Sequence, residues 1–336
     1  MKKSLLILLF TCWALFFAAF RPVMPFAAET AAFPDGTPVT GGRILMGTIG
    51  EPSNLIPYMA SDSASGEITG LLYVAPLKYD KDLNVVPWAA ASYEVLEGGR
   101  LLRFVLRDDI RWEDGVPLTA DDVEFTYKLM IDPKTPTAYS GDFLAIESFK
   151  KTGRLSFEVR YAKPFARSLM TWMGAILPKH VLEGQDIMTT PVARKPIGAG
   201  PYRLAKWDAG SMLTLTASDT YFEGRPNLDE VVYRIIPDPS TMFLELKAGK
   251  LDMMSLSPQQ YLRQTQGPQW ERDWRKYRYL SFSYTFLGFN LEHPFFKDVR
   301  VRRAISMAID RQSLIDGVLL GQGVPTVGPY KPGTWA

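Results

Sequence analysis

The 336 residues carry 38 basic and 36 acidic side chains, a balance that gives no electrostatic reason to expect nucleic acid or an anionic membrane as partner. Hydrophobic residues make up 46% and aromatic residues 12%, which excludes a disordered chain and calls for a large core divided among two or three domains. A single cysteine, Cys12, excludes an intrachain disulfide and a cysteine metal site.

Lys2 and Lys3 precede an apolar run from Ser4 to Phe20, the basic and hydrophobic regions of a secretory signal. At 17 residues the run is near the lower limit for spanning a bilayer, so an uncleaved anchor is the alternative. Ala27, Ala28, Ala31 and Ala32 follow, and cleavage after Ala28 is expected, which makes 1–28 a signal peptide. Cys12 stands between Thr11 and Trp13, without the small residues that precede a lipidated cysteine. Cleavage removes the only thiol, which suits an oxidising periplasm. It also removes Lys2, Lys3 and Arg21, leaving 35 basic against 36 acidic groups.

Residues 29–40 read as an Ala-, Pro- and Thr-rich lead-in, and Gly41-Gly42 opens a strand over Arg43–Gly47. Residues 51–66, with Pro52, Asn54, Pro57 and Ser61, read as an irregular polar loop. An apolar run resumes over Leu71–Tyr79. From 93 to 107 paired strands are predicted around the turn Glu97-Gly98-Gly99-Arg100. There Leu102, Phe104 and Leu106 point to one face and Arg103, Val105 and Arg107 to the other. Thr119 and Asp122 form a capping box for a helix over 119–130, with Val123, Tyr127 and Met130 on one side. Phe157, Val159 and Tyr161 alternate as another strand.

Gly198-Ala199-Gly200-Pro201 is a turn, and Leu213 and Leu215 alternate with threonines in a further strand. Val231–Ile236 is continuously apolar enough to be buried on both faces. Asp238-Pro239 starts a helix that Gly249 ends, and Leu251–Met253 reads as a strand, so 231–254 forms a parallel crossover unit. Over 298–309, Val301, Ala304, Ile305, Ala308 and Ile309 keep helical spacing, and a second helix runs from Asp310 to about Leu320.

Four stretches carry a resemblance: GGRILMGTIGEPSNLIPYMASDSAS (41–65), LRFVLRDDIRWEDGVPLTADDVEFTYKLM (102–130), the run from PIGAGPYRLAKW to ELKAGKLDMM (196–254), and YTFLGFNLEHPFFKDVRVRRAISMAIDRQSLIDGVLLGQG (284–323). In this order the chain resembles the extracellular solute-binding proteins of family 5, among them the oligopeptide- and dipeptide-binding components of ABC importers. The resemblance implies an α/β fold, a two-lobed clamp of the type II periplasmic binding class with an inserted extra α+β domain. The first lobe would take 41–71 and 196–282, the inserted domain 72–195, and the second lobe would begin at 283. Members normally continue well past this point. The second lobe is therefore expected to be incomplete in a C-terminally truncated product, with strand edges and an apolar helix face uncovered.

The implied function is a periplasmic, monomeric component that captures peptides and delivers them to a membrane permease. No cofactor, metal or catalytic group is expected. The alternatives are a sugar, an opine or a nickel chelate as ligand, or a non-functional remnant or holdase.

Such proteins close on ligand by hinge motion and hold peptide through its main chain. The resemblance points to Ser61, Asp62 and Ser63, with Asp62 either holding a cationic group or capping the loop, and to Tyr139 in the inserted domain. Trp172, on the apolar stretch 169–177, would face the cleft or the core. Ser283 to Phe286 would open the second lobe and offer main-chain groups, Tyr284 and Phe286 sharing one strand face. An enzyme reading has little support, since His180 and His293 stand far apart and no nucleophile-elbow, zinc-protease or P-loop pattern occurs.

Overall fold

The computed structural model describes residues 38–281, 283–329 and 332. The expected signal peptide, Cys12 and nearly all of the lead-in lie outside the described residues. One compact unit spans Gly36–Ser255, and the residues from Leu256 onward fall in another.

In chain order the strands are β1 Arg43–Thr48, β2 Leu77–Tyr79, β3 Val85–Pro87, β4 Ala90–Leu96, β5 Leu101–Leu106, β6 Ile146–Lys151, β7 Ser156–Tyr161, β8 Tyr202–Asp208, β9 Met212–Ala217 and β10 Glu230–Ile235. The helices that bear on function are α1 Ser63–Leu72, α2 Ala120–Ile131 and α3 Pro239–Lys247 in the first unit. In the second unit they are α4 Val299–Ala308 and α5 Arg311–Gly317. The strands form one sheet in the order β1-β10-β9-β8, a second in the order β4-β5-β7-β6, and the pair β2-β3. Only β1 and β10 run parallel; the other pairs are antiparallel.

The alternation in β5 and β7 supplies one side of the core. Leu102, Phe104, Phe157 and Val159 are fully buried. Registers Tyr93↔Phe104 and Phe104↔Phe157 place these rings side by side, with centroids 6.1 and 4.8 Å apart. The opposite face is wet: Arg103 bonds Glu94 at 3.0 Å on β4 and Glu158 at 2.9 Å on β7. Helix α2 has the predicted capping box, and its Val123 and Met130 are buried.

Strand β10 lies between β1 and β9, and its consecutive Val231, Val232 and Tyr233 are all buried, as expected for a strand covered on both faces. Asp238 caps α3 by accepting from Thr241 N–H at 2.7 Å, and Gly249, with φ 69°, follows its C-terminal end. The crossover exists, but Leu251–Met253 is not a strand: only the parallel bridge Met46↔Met253 forms, on the β1 edge away from β10. The turn at 198–201 has a packing cause. A Cβ on Gly198 would lie 1.9 Å from the Leu72 carbonyl oxygen, and Gly200 N–H donates to that same oxygen at 2.9 Å.

In the second unit, Asp298 and Asp310 cap α4 and α5 through Arg300 and Ser313 N–H. The apolar stripe of α4 buries none of its residues, and Ile315 on α5 is the buried hydrophobic residue among those described here. The stretch 277–289 makes no ladder among the described residues, so the strand expected at Ser283–Phe286 does not form.

Candidate ligand-binding pocket

The segment predicted as a loop over 51–66 gives way to α1 at Ser63, because Asp62 is a helix cap. Its Oδ1 accepts from Ser65 N–H at 2.8 Å, and its Oδ2 accepts from the hydroxyls of Ser53 at 2.6 Å and Ser65 at 2.8 Å. Partial burial works against ionisation, yet these hydrogen bonds outweigh it and hold the carboxyl below its ordinary range. Asp62 is therefore engaged by the protein rather than left free for a cationic group.

Ahead of α1 the chain passes through Tyr58 in left-handed backbone, φ 73°, a conformation that costs a non-glycine residue about 1–2 kcal/mol. Several contacts hold it there. The Tyr58 hydroxyl donates to Ala175 O at 2.8 Å, and Thr137 Oγ1 donates to Tyr58 O at 2.8 Å. Its ring meets Tyr139 and Phe143 edge-on at 6.1 and 6.0 Å. Gly174 makes room for the phenol, since a Cβ there would stand 2.2 Å from the hydroxyl oxygen. Burial pushes the Tyr58 phenol far above its ordinary value, so it stays a neutral donor.

Tyr58, Tyr139, Gly174 and Ala175 help to line a half-open cavity of about 350 Å³. One wall is the exposed side of α1 with Gly66, Thr69 and Gly70; Tyr73, Val74 and Ala75 follow it into the interior. Tyr58, Tyr139, Trp88 and Met173 supply larger surfaces. No Asp, Glu, Lys, Arg or His lines the cavity among the described residues. Most polar wall atoms are already bonded: Thr69 Oγ1 donates to Ser65 O at 2.8 Å, and Trp88 Nε1 donates to Tyr221 Oη at 2.9 Å. Behind Trp88, Glu223 accepts from Lys78 at 2.7 Å and from Tyr221 at 2.6 Å. Tyr73 is the exception, buried at 2% exposure with no hydrogen-bond partner for its hydroxyl.

Of the residues named from the sequence, Tyr139 lines the cavity, whereas Ser61, Asp62 and Ser63 do not. Trp172 belongs to the core. It is 3% exposed and packs against Phe104, Phe143, Phe149 and Phe157 at 5.3–6.2 Å, so the cleft alternative for it is set aside. Ser283, Tyr284 and Phe286 lie in the second unit, where the Tyr284 and Phe286 rings stand 5.5 Å apart and largely exposed. Sequence reasoning missed Tyr58, Gly66, Gly70, Tyr73 and Trp88. The available signal was Asp62 three residues before Ser65, an N-cap spacing that places both glycines inside a helix.

A family model described as bacterial extracellular solute-binding proteins, family 5 Middle, matches residues 84–336. The chain belongs to this family. Oligopeptide-binding protein AppA of Bacillus subtilis (strain 168) is 32% identical over 306 residues, which cover 89% of this chain and 56% of AppA. The chain thus spans little more than half the length of that relative. The solved structure of the B. subtilis protein in complex with a nonapeptide matches with a TM-score of 0.80 at 31% identity, over 89% of this chain and 60% of that one. NikZ from Campylobacter jejuni in complex with Ni(L-His) matches with a TM-score of 0.75 at 26% identity, over 85% and 57%. The mixed α/β fold is that of the periplasmic binding proteins.

Proposed function

We propose that this chain supplies the first lobe, the inserted domain and the start of the second lobe of a peptide-capturing component of an ABC importer. The observation that carries the reading is the fold match, at TM-score 0.80, to a protein whose structure holds a nonapeptide. The uncharged, partly aromatic cavity supports it, because peptide recognition needs main-chain partners beside room for side chains rather than an acid–base pair. On this reading the protein is exported through the signal at residues 1–28, works in the periplasm as a monomer without catalysis, and hands its peptide to a membrane permease. The first lobe takes 41–71 and 196–282, and the inserted domain takes 72–195. Tyr139, on the wall of the cavity, faces ligand.

Calorimetric titration with a panel of di- to nonapeptides tests the reading. Micromolar or tighter binding of peptides is the expected result. Binding of Ni(L-His) or of an opine with no peptide bound would replace peptide by another solute.

A further inference from the structure

Gly66 and Gly70 are one turn apart on α1, and both line the cavity. A glycine inside a helix weakens it relative to alanine. The fold does not require either of them. Neither takes left-handed backbone, and a Cβ added at either would meet no atom within 4 Å. Gly198 and Gly174 differ, because a Cβ there would collide with Leu72 O at 1.9 Å and Tyr58 Oη at 2.2 Å. The space beside Gly66 and Gly70 is therefore left open by the protein's own atoms.

The lining sets the chemistry of what enters that space. It carries no charged side chain, and the Thr69, Trp88 and Tyr58 donors are already engaged. Among the described residues the one unpartnered polar side chain of the wall is the neutral Tyr73 hydroxyl, so an ionic side chain entering the cavity would lose hydration and meet no opposite charge. Apolar surface entering it would leave water and meet Tyr139, Trp88 and Met173. The recess is open to solvent on one side and measures about 350 Å³, a volume that accommodates a ring the size of an indole.

We infer that this cavity is a subsite for one bulky uncharged side chain, aromatic or long aliphatic, and that Gly66 and Gly70 set its size. The inference rests on the peptide-binding reading for the identity of the ligand, but the cavity can be probed separately. Calorimetry with the wild-type chain would compare peptides of one sequence that differ by Trp, Leu, Lys or Gly at a single position. N-acetyl-tryptophanamide, N-acetyl-lysinamide and N-acetyl-glycinamide would serve as blocked single-residue probes.

The expected result is a preference of at least tenfold for Trp over Gly and over Lys at one peptide position. Gly70→Leu fills the cavity and should bring that ratio close to one; Gly70→Ala, which helix physics favours, should lower it partway and guards against misfolding as the cause. A Trp/Gly ratio near one in the wild type, or a preference that survives Gly70→Leu, overturns the subsite while leaving peptide capture standing. Blocked tryptophanamide that binds and is expelled by Gly70→Leu, with no peptide bound, upholds the subsite and removes the peptide reading. If neither peptides nor blocked amides bind, both fall.

Discussion

Gly198→Ala tests whether the junction between α1 and β8 depends on main-chain contact. The new Cβ would lie 1.9 Å from Leu72 O and 2.8 Å from Leu72 C, and these are backbone atoms that cannot rotate away. The chain at 198–200 would have to move off the end of α1. Two main-chain hydrogen bonds meet there, Gly200 N–H to Leu72 O and Glu113 N–H to Gly198 O, each at 2.9 Å. Residues 198–200 and Leu72 are buried, so water does not replace these partners. A buried group left unsatisfied costs about 1–3 kcal/mol, and losing both bonds therefore costs about 2–6 kcal/mol. For a unit of this size, with about 2–4 °C per kcal/mol, the melting temperature should fall by about 4–24 °C. Differential scanning calorimetry reads this directly. Gly66→Ala is the matched control, since its Cβ meets no atom within 4 Å and the helix should gain about 0.5–1 kcal/mol. If Gly198→Ala melts within 2 °C or so of the parent, the contact is not what positions this wall of the cavity.

Trp172→Ala removes the indole at the centre of four phenylalanine rings and should cost about 3–5 kcal/mol in urea unfolding; a loss under about 1 kcal/mol would contradict the core assignment. Burial pushes the Glu113 carboxyl from 4.5 up to about 7, so between those values the folded state holds a proton that the unfolded state has released. Stability from this group is present at the acid end and declines as pH rises through that window, and Glu113→Gln should flatten the decline. An unchanged slope in pH-dependent melts would refute that origin. Because α4 buries none of its residues and Ile315 is the buried hydrophobic of its unit among those described, amide exchange in α4 and α5 should be much faster than in β5 and β7. Equal protection would show that the apolar stripe of α4 is covered in solution.

Local structure was legible wherever one short segment carries its own physical reason. The alternation at Leu102, Phe104 and Leu106 gave a strand and its buried face, and the Thr119–Asp122 pair gave the start of α2. Asp238-Pro239 and Gly249 bracketed α3 for the same reason. Legibility failed at 63–66, where the preceding prolines, Asn54 and Ser61 read as a loop although Asp62 caps a helix through Ser65. It failed again at Leu251–Met253, because a strand needs a partner in register and β1 offers only one bridge there.

The sequence by itself determined the composition of the core, most element types and the resemblance to a family, since periodicity, caps and motif order are properties of neighbouring residues. Only the tertiary structure decided the cavity. Its walls come from 56–75, Trp88, Tyr139 and 173–175, and the open space between them has no sequence signature. The same holds for its aromatic residues. Tyr139 and Trp172 were both candidates for the cleft, and packing put one at the cavity and the other among phenylalanine rings. The physical reason is that burial depends on which distant segments share a volume, and that is set only when the whole chain has closed on itself.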